Sequence, residues 1–218
     1  MEGKNVIVGA SGSVAAIRVP LLVDKIIEKG AKVKVLATDR AKFFLEKERK
    51  FADGVEVLDD EKEWLMWEKL GDEVLHIELR RWADAFVIAP LSANTLAKLA
   101  NGLCDNALTC TARAWDPSKA PLIVAPAMNT VMWEHPLTSR QTNSVETFGV
   151  QIVSPTSKKL ACGDVGIGSM ATPDTIVETL EIELLANSRK KRKTIDSDEV
   201  SLEPDGSLKR QTRTAGNS

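Results

Sequence analysis

No apolar run in this 218-residue chain approaches the roughly 20 residues that a membrane-spanning helix needs, so no membrane helix is expected. Cysteine is scarce. Cys104, Cys110 and Cys162 are three in number and lack metal-ligand spacing, which fits a reducing compartment better than a disulfide framework and argues against structural zinc. No basic leader, apolar segment and small-residue cleavage site precede Val6-Ile7-Val8, so a cytoplasmic location is expected. The formal net charge of -2 offers nucleic acid no general attraction. The first strand-to-helix junction has neither Gly-x-Gly-x-x-Gly nor the Walker Lys-Ser/Thr ending, which disfavours a dinucleotide or a nucleoside triphosphate. The clustered carboxylates of a magnesium site are missing too, and no metal is expected.

What is present is ordinary for a globular protein: 43% hydrophobic and 28% charged residues, enough for one well-buried core. A single domain is expected over residues 1–186. From Asn187 the composition turns polar and carries the block Arg189-Lys190-Lys191-Arg192-Lys193, so residues 187–218 read as a disordered basic tail. Such a block serves as a nuclear address or an anion-binding arm, or is a solvated tail with no further role.

The body alternates short apolar runs with helical periodicity. Residues 5–9 make a first strand that runs into Gly9-Ala10-Ser11-Gly12-Ser13, after which Val14, Ile17, Leu21 and Leu22 recur at helical spacing. Backbone N–H groups and the helix dipole meet at that junction, which suits a phosphate monoester with Ser11 and Ser13 as donors, or a simple tight turn. Pro20 either bends the helix or opens its main body. A second strand over 31–37 ends at Thr38-Asp39-Arg40. Helical character over 41–47 gives way to a less regular stretch, and in 61–70 Trp64, Leu65 and Trp67 read as core or subunit contact. A third strand over 85–89 runs into Pro90-Leu-Ser-Ala-Asn-Thr, followed by helices to Asn101 and over 105–115, with Cys104 and Cys110 assigned to packing. A fourth strand over 121–125 ends at Pro126-Ala-Met-Asn-Thr. His135-Pro136 breaks the chain and is given a structural role, and 150–153 form a fifth strand.

Residues 160–170 read Leu-Ala-Cys-Gly-Asp-Val-Gly-Ile-Gly-Ser-Met. Three glycines make this a turned or mobile loop in expectation, with Cys162 at its mouth as a reactive thiol or an incidental surface cysteine. A closing helix follows, with Thr172 as N-cap, Pro173 first, and Ile176, Leu180 and Leu184 on one face.

Strands alternating with helices specify an α/β fold, a doubly wound, Rossmann-like parallel sheet in three layers, with ligands beyond the carboxyl ends of the strands. The segments leaving those ends carry small hydroxyl and amide residues, an inventory that suits an uncharged heterocycle with one phosphate. Flavin mononucleotide satisfies it, as does another mononucleotide.

Taken together, Gly12-Ser-Val-Ala-Ala, His76-Ile-Glu-Leu-Arg-Arg-Trp-Ala-Asp, Pro90-Leu-Ser-Ala-Asn-Thr-Leu-Ala-Lys, Pro126-Ala-Met-Asn-Thr and Leu160-Ala-Cys-Gly-Asp with Gly-x-Gly-x-Met form an ordered set. Over residues 5–186 the chain resembles the phosphopantothenoylcysteine decarboxylase family, the plant-like branch of the flavin-containing cysteine decarboxylases. The resemblance implies a flavodoxin-like fold, bound FMN, a homotrimer with sites between subunits, and conversion of 4′-phosphopantothenoylcysteine to 4′-phosphopantetheine for coenzyme A. By position it assigns the flavin to Ser13, Val14, Ala15, Thr38, Asp39, Arg40, Ser92, Ala93, Asn94, Thr95 and Ala127. It makes His76 the active-site histidine, Asn129 the holder of the substrate carboxylate and Cys162 the proton donor, with Lys159, Ala161 and Met170 lining the substrate.

The chemistry implied is coherent. Loss of CO2 from a cysteinyl carboxylate leaves a carbanion without an electron sink, and hydride removal from CH2–S gives a thioaldehyde that provides one. The resulting enethiolate is protonated by Cys162 and the hydride returns, so the reaction is redox-neutral. His76 assists formation of the thiolate as a general base. Val165, Ile167 and Lys159 stand where plant members often carry Tyr, Asn and Arg. Two other classes fit the fold: a regulatory subunit that inhibits a protein phosphatase, and a decarboxylase acting on a peptide's C-terminal cysteine. The intact set of His76, Asn129 and Cys162 and the basic tail favour the small-molecule enzyme.

Overall fold

A computed structural model describes residues 1–47, 50–159 and 165–199. Six strands, β1 (Asn5–Ala10), β2 (Lys32–Ala37), β3 (Glu56–Leu58), β4 (Ala85–Leu91), β5 (Leu122–Pro126) and β6 (Gln151–Ile152), form one sheet in the order β3-β2-β1-β4-β5-β6. All its pairings are parallel. The helices are α1 (Val19–Glu28), α2 (Asp39–Leu45), α3 (Asp60–Leu65), α4 (Leu75–Trp82), α5 (Ala93–Asn101), α6 (Ala107–Arg113), α7 (Thr130–Glu134), α8 (Pro136–Thr147) and α9 (Pro173–Glu199). Val6, Val8 and Ala10 of β1 face a core completed by α1 and α9, while Ile7 faces a second core built with α4, α5, α6 and α8. The strands are apolar on both faces because both faces are covered. This is the three-layer α/β fold the alternation predicts, flavodoxin-like as the resemblance implies. Among the described residues, no helix is long and apolar enough to cross a membrane.

Several elements differ from their sequence expectation, each for a local reason. A 3₁₀ turn over Val14–Arg18 precedes α1, and Pro20 sits in that helix's first turn. Three residues per turn rather than 3.6 shifts the phase, so Val19, Leu22, Val23 and Ile26 enter the core while Val14, Ile17 and Leu21 stay exposed. The stretch read as irregular contains β3, whose three residues are too few to show a period of two. The helix expected over 61–70 stops at Leu65. Trp64 is 77% exposed and Leu70 95%, which rules out the core reading for that segment. Cys104, expected to pack, is exposed in the link that precedes α6, whereas Cys110 is half-buried.

The glycine-rich segment holds a second correction. Residues 165–169, expected within a loop, form β8 (Val165–Ser169), antiparallel to β7 (Thr156–Lys159). Here glycine serves close approach. Gly168 has φ +137°, and a Cβ on it would lie 2.3 Å from the Met128 carbonyl. A Cβ on Gly166 would meet the Thr130 side chain. Met128 N instead donates to Gly168 O at 2.9 Å, so the hairpin lies against the segment that leads into α7.

The closing helix begins as expected, with Thr172 Oγ1 accepting from Thr175 N at 3.2 Å. The domain end expected at Ala186 falls inside it. Asn187 Nδ2 donates to Lys119 O at 2.8 Å, and the helix continues through the basic block to Glu199. Extending an existing helix avoids the cost of nucleation, and Lys and Arg are good helix formers. Residues 200–218 lie outside the described part.

Candidate functional site

Strand order reverses between β1 and β4, and a crevice opens beyond their carboxyl ends, the position where such sheets take ligands. Ser11 ties the two strand ends together. Its hydroxyl donates to Pro90 O at 2.8 Å and accepts from Ser92 N at 2.7 Å, and the residue is 0% exposed. The hydroxyl expected to donate to a phosphate is therefore spent inside the protein. The reason is tertiary: β4 ends beside β1, and its backbone needs a partner there.

The other small polar residues sit on short turns that begin helices. Ser13 Oγ accepts from Ala15 N at 3.3 Å, Thr38 Oγ1 from Ala41 N at 3.3 Å and Ser92 Oγ from Thr95 N at 3.2 Å. The sequence pattern of strand, hydroxyl residue and helix is thus a capping pattern that aims three helix starts at one crevice. A cleft of about 550 Å³ lies between them, within the size range of small-molecule sites. Every expected cofactor residue except Val14 and Ala15 lines it: Ser13 after β1, Thr38, Asp39 and Arg40 after β2, Ser92 to Thr95 after β4, and Ala127 after β5. Val14 and Ala15 lie in the adjoining 3₁₀ turn. Gly12 lets the first loop touch the start of α2, since a Cβ there would lie 2.5 Å from Arg40 Cβ. Hydroxyls, an amide, backbone N–H groups and one guanidinium are a donor set that fits a phosphate joined to an uncharged heterocycle.

Sequence reasoning missed part of the wall: Asp60, Lys98, Asp105, Asn106, Met128 and Met132. Lys98 Nζ holds Asp105 at 2.7 Å, and that bond keeps the Asp105 carboxyl below its ordinary range. Burial pushes the Asp60 carboxyl up, although Ala107 N donates to it at 2.7 Å. One signal was readable. Asn106 and Thr109 form a capping box, the pattern that marks a helix start at the cleft.

The expected catalytic and substrate residues are placed differently. His76, in the first turn of α4, does not line the cleft. Its Nδ1 lies 2.5 Å from Glu63 Oε1, with Cys110 close by. The Cys110 thiol is pushed up to about 11 by burial and by the neighbouring Glu63. Asn129 caps α7, accepting from Val131 N at 2.9 Å, next to the cleft residue Met128. His135 likewise caps α8, accepting from Leu137 N at 3.1 Å, as its structural assignment implied. Met170 is 1% exposed and packs in the core that includes Ala127. Lys159 ends β7. Ala161 and Cys162 lie outside the described residues.

A family profile described as Flavoprotein matches residues 1–184. Phosphopantothenoylcysteine decarboxylase of Mus musculus is 51% identical over 180 residues, which is 82% of this chain and 86% of the mouse protein. A solved cysteine-to-serine mutant of PPC decarboxylase, complexed with pantothenoylaminoethenethiol, is similar with TM-score 0.77 at 48% identity, covering 82% of this chain and 97% of that one. The FMN binding protein AtHal3 gives TM-score 0.75 at 49% identity, covering 82% of this chain and 95% of that one.

Proposed function

This chain belongs to the flavoprotein family, among the phosphopantothenoylcysteine decarboxylases, and from that premise we propose that it carries out the FMN-dependent decarboxylation of 4′-phosphopantothenoylcysteine to 4′-phosphopantetheine in coenzyme A biosynthesis. The observation that carries this reading is the cleft at the β1/β4 reversal, where hydroxyl-capped turns from three strand ends converge with Arg40. FMN held by these residues would supply reversible hydride acceptance from the substrate CH2–S group, the electron sink that loss of CO2 needs.

The chain's own residues bind and move protons around that chemistry. Ser13, Thr38, Ser92 and the helix starts they cap hold the phosphate and the heterocycle by neutral hydrogen bonds, and Arg40 adds the positive charge. His76 accepts the proton of the substrate thiol. Asn129, beside Met128 at the mouth of the cleft, orients the carboxylate that leaves. Cys162, assigned on the motif match, returns a proton to the enethiolate. Lys159, Ala161 and Met170 are assigned to the substrate's surroundings on the motif match.

The active form is read as a homotrimer with sites between subunits. Val131 is 73% exposed, and Met132, which lines the cleft, Val14, Ile17 and Leu21 are exposed apolar residues, which supports contact with a second copy. His76 stands off the cleft of its own chain, which supports its serving a neighbour's. A cytoplasmic location, with the basic block as a nuclear address, rests on composition alone.

The test is CO2 release from 4′-phosphopantothenoylcysteine by the flavin-loaded protein, with Cys162→Ser beside it. Turnover by the wild type, with the variant stalling on an oxidised enethiol product, is the expected result. A flavin-loaded wild type that releases no CO2 would end the assignment for this substrate.

A further inference from the structure

Glu63 has no part in the resemblance that assigns His76, yet it is the side chain His76 touches most closely, at 2.5 Å from Nδ1 to Oε1. It is also the more buried of the two, its side chain 11% exposed against 27% for the imidazole. The helix that carries Glu63 is held at two points. Asp59 caps α3 and binds Lys42 Nζ of α2 at 2.8 Å, and Asp60 Oδ1 accepts from Ala107 N at the start of α6 at 2.7 Å. Cys110 of α6 lies near both Glu63 and His76, its Sγ within 4.8 Å of their ligand atoms. Its Sγ donates to the Cys104 carbonyl at 3.4 Å.

Glu63, His76 and Cys110 present ligand atoms within 4.8 Å of one another, which raises the question of a metal. The present geometry is that of a hydrogen-bonded pair. A zinc ion bound at about 2.0–2.3 Å in tetrahedral geometry keeps its ligand atoms roughly 3.3 Å or more apart. The 2.5 Å contact is a hydrogen bond.

We propose that Glu63 is a positioning residue for His76: its carboxylate takes the Nδ1–H and thereby fixes the ring's orientation and tautomer, leaving Nε2 as the ring's lone-pair acceptor for the substrate thiol proton. This rests on the reading of His76 as the base. A carboxylate behind an imidazole both selects the tautomer and stabilises the imidazolium that forms when the ring accepts a proton. No new bond to substrate is needed, so the effect falls on turnover more than on binding.

The test uses the flavin-loaded full chain. Glu63→Gln keeps an acceptor of the same shape and removes the charge. It is expected to lower kcat about 10- to 100-fold, the range for losing a hydrogen-bond partner behind a functional histidine, with KM little changed. Glu63→Asp is expected to restore part of the loss. Histidine nitrogen NMR at pH 9 gives an independent readout, because the chain has only 2 histidines. His76 is expected as the Nδ1–H tautomer in the wild type, and shifted toward Nε2–H in Glu63→Ala. A His76→Gln variant that keeps full activity would overturn this proposal together with the reading of His76. An inactive His76→Gln beside a Glu63→Gln with kcat within twofold of wild type would overturn the positioning role alone, as would an Nε2–H tautomer in the wild type. The wild-type spectrum decides the matter if the Glu63 variants fail to fold.

Discussion

The floor of the cleft rests on β1 and β4, strands whose central residues are wholly buried, and on hydrogen bonds between backbone groups or capping hydroxyls. The platform under His76 rests on α3, a six-residue helix that buries none of its own residues and is held by Asp59, Asp60 and Glu63. The first region inherits its geometry from the sheet, so it is rigid wherever the sheet is intact. The second takes its geometry from a few polar contacts made across α2, α4 and α6. Substitutions should therefore separate the two: damage to the floor costs stability and flavin, while damage to the platform costs turnover.

The largest effect is expected from a change that strikes both. Phe86 is fully buried, 5.5 Å from the Trp115 ring in the core beneath α4 and α6. Phe86→Ala should cost about 3–5 kcal/mol. Urea unfolding followed by tryptophan fluorescence should show a lower midpoint with an unchanged slope. A midpoint close to wild type would mean that the core repacks around the loss.

Ser11→Ala isolates the floor. It leaves the Ser92 N–H without its acceptor inside the protein, a cost of about 1–3 kcal/mol. Flavin should be released at a lower urea concentration than in the wild type, while kcat of the molecules that retain flavin stays near normal. Retention of flavin to the wild-type midpoint would show that the β1 and β4 ends hold register without this hydroxyl.

Asp59→Ala isolates the platform, at about 1–2 kcal/mol for the lost cap and its Lys42 partner. Amide exchange should quicken in α3 and α4 and not in β1 or β4, with kcat falling while flavin stays bound. Burial alone would raise the Asp59 carboxyl, but hydrogen bonds from Lys42 and the Lys62 N–H outweigh it and hold the group below its ordinary range. A depressed carboxylate stabilises the folded form above its unfolded pKa of about 3.9, and that contribution is lost as pH falls through the lower, folded value. The difference between wild type and variant should therefore be full at pH 6 and shrink steadily below pH ~4. A difference that persists undiminished at pH 2 would place the effect elsewhere.

The smallest effect is a labelling pattern. Cys104 is exposed, whereas burial and the neighbouring Glu63 push the Cys110 thiol up to about 11. Iodoacetamide at pH 8 should modify Cys104 and leave Cys110 free, with Cys110 reacting as pH approaches 11, read by peptide mass spectrometry. Equal labelling at pH 8 would mean that the platform opens readily in solution.

The difference between the two regions also explains what could be read from the chain in advance. Thr38, Ser92 and Asn129 stand at strand ends before helical periodicity, and a hydroxyl or amide there is a local signal with a local cause: it caps the helix that follows. Asn106, which went unread, carries the same signal in its box with Thr109. Ser11 shows the limit, because the same residue type in the same loop turned inward once β4 was laid beside β1. Glu63 was invisible for a related reason. Thirteen positions separate it from His76, and nothing in the spacing says that α3 folds back on α4. Gly166 and Gly168 pointed to a loop because glycine frees the backbone. In the fold they bring a strand against Met128 and Thr130, where a side chain would collide.

Apolar periodicity and turn residues determined by themselves the α/β alternation, the doubly wound sheet and the strand ends at which a ligand would be held, because those features arise from each segment's own preferences and burial. The tertiary structure alone decided which hydroxyls face the cleft and which are consumed within the protein, which tryptophans stay in solvent, and which carboxylate stands behind His76. Those outcomes depend on what lies opposite a side chain, and a polar group's role is set by the partner it finds when both lose water.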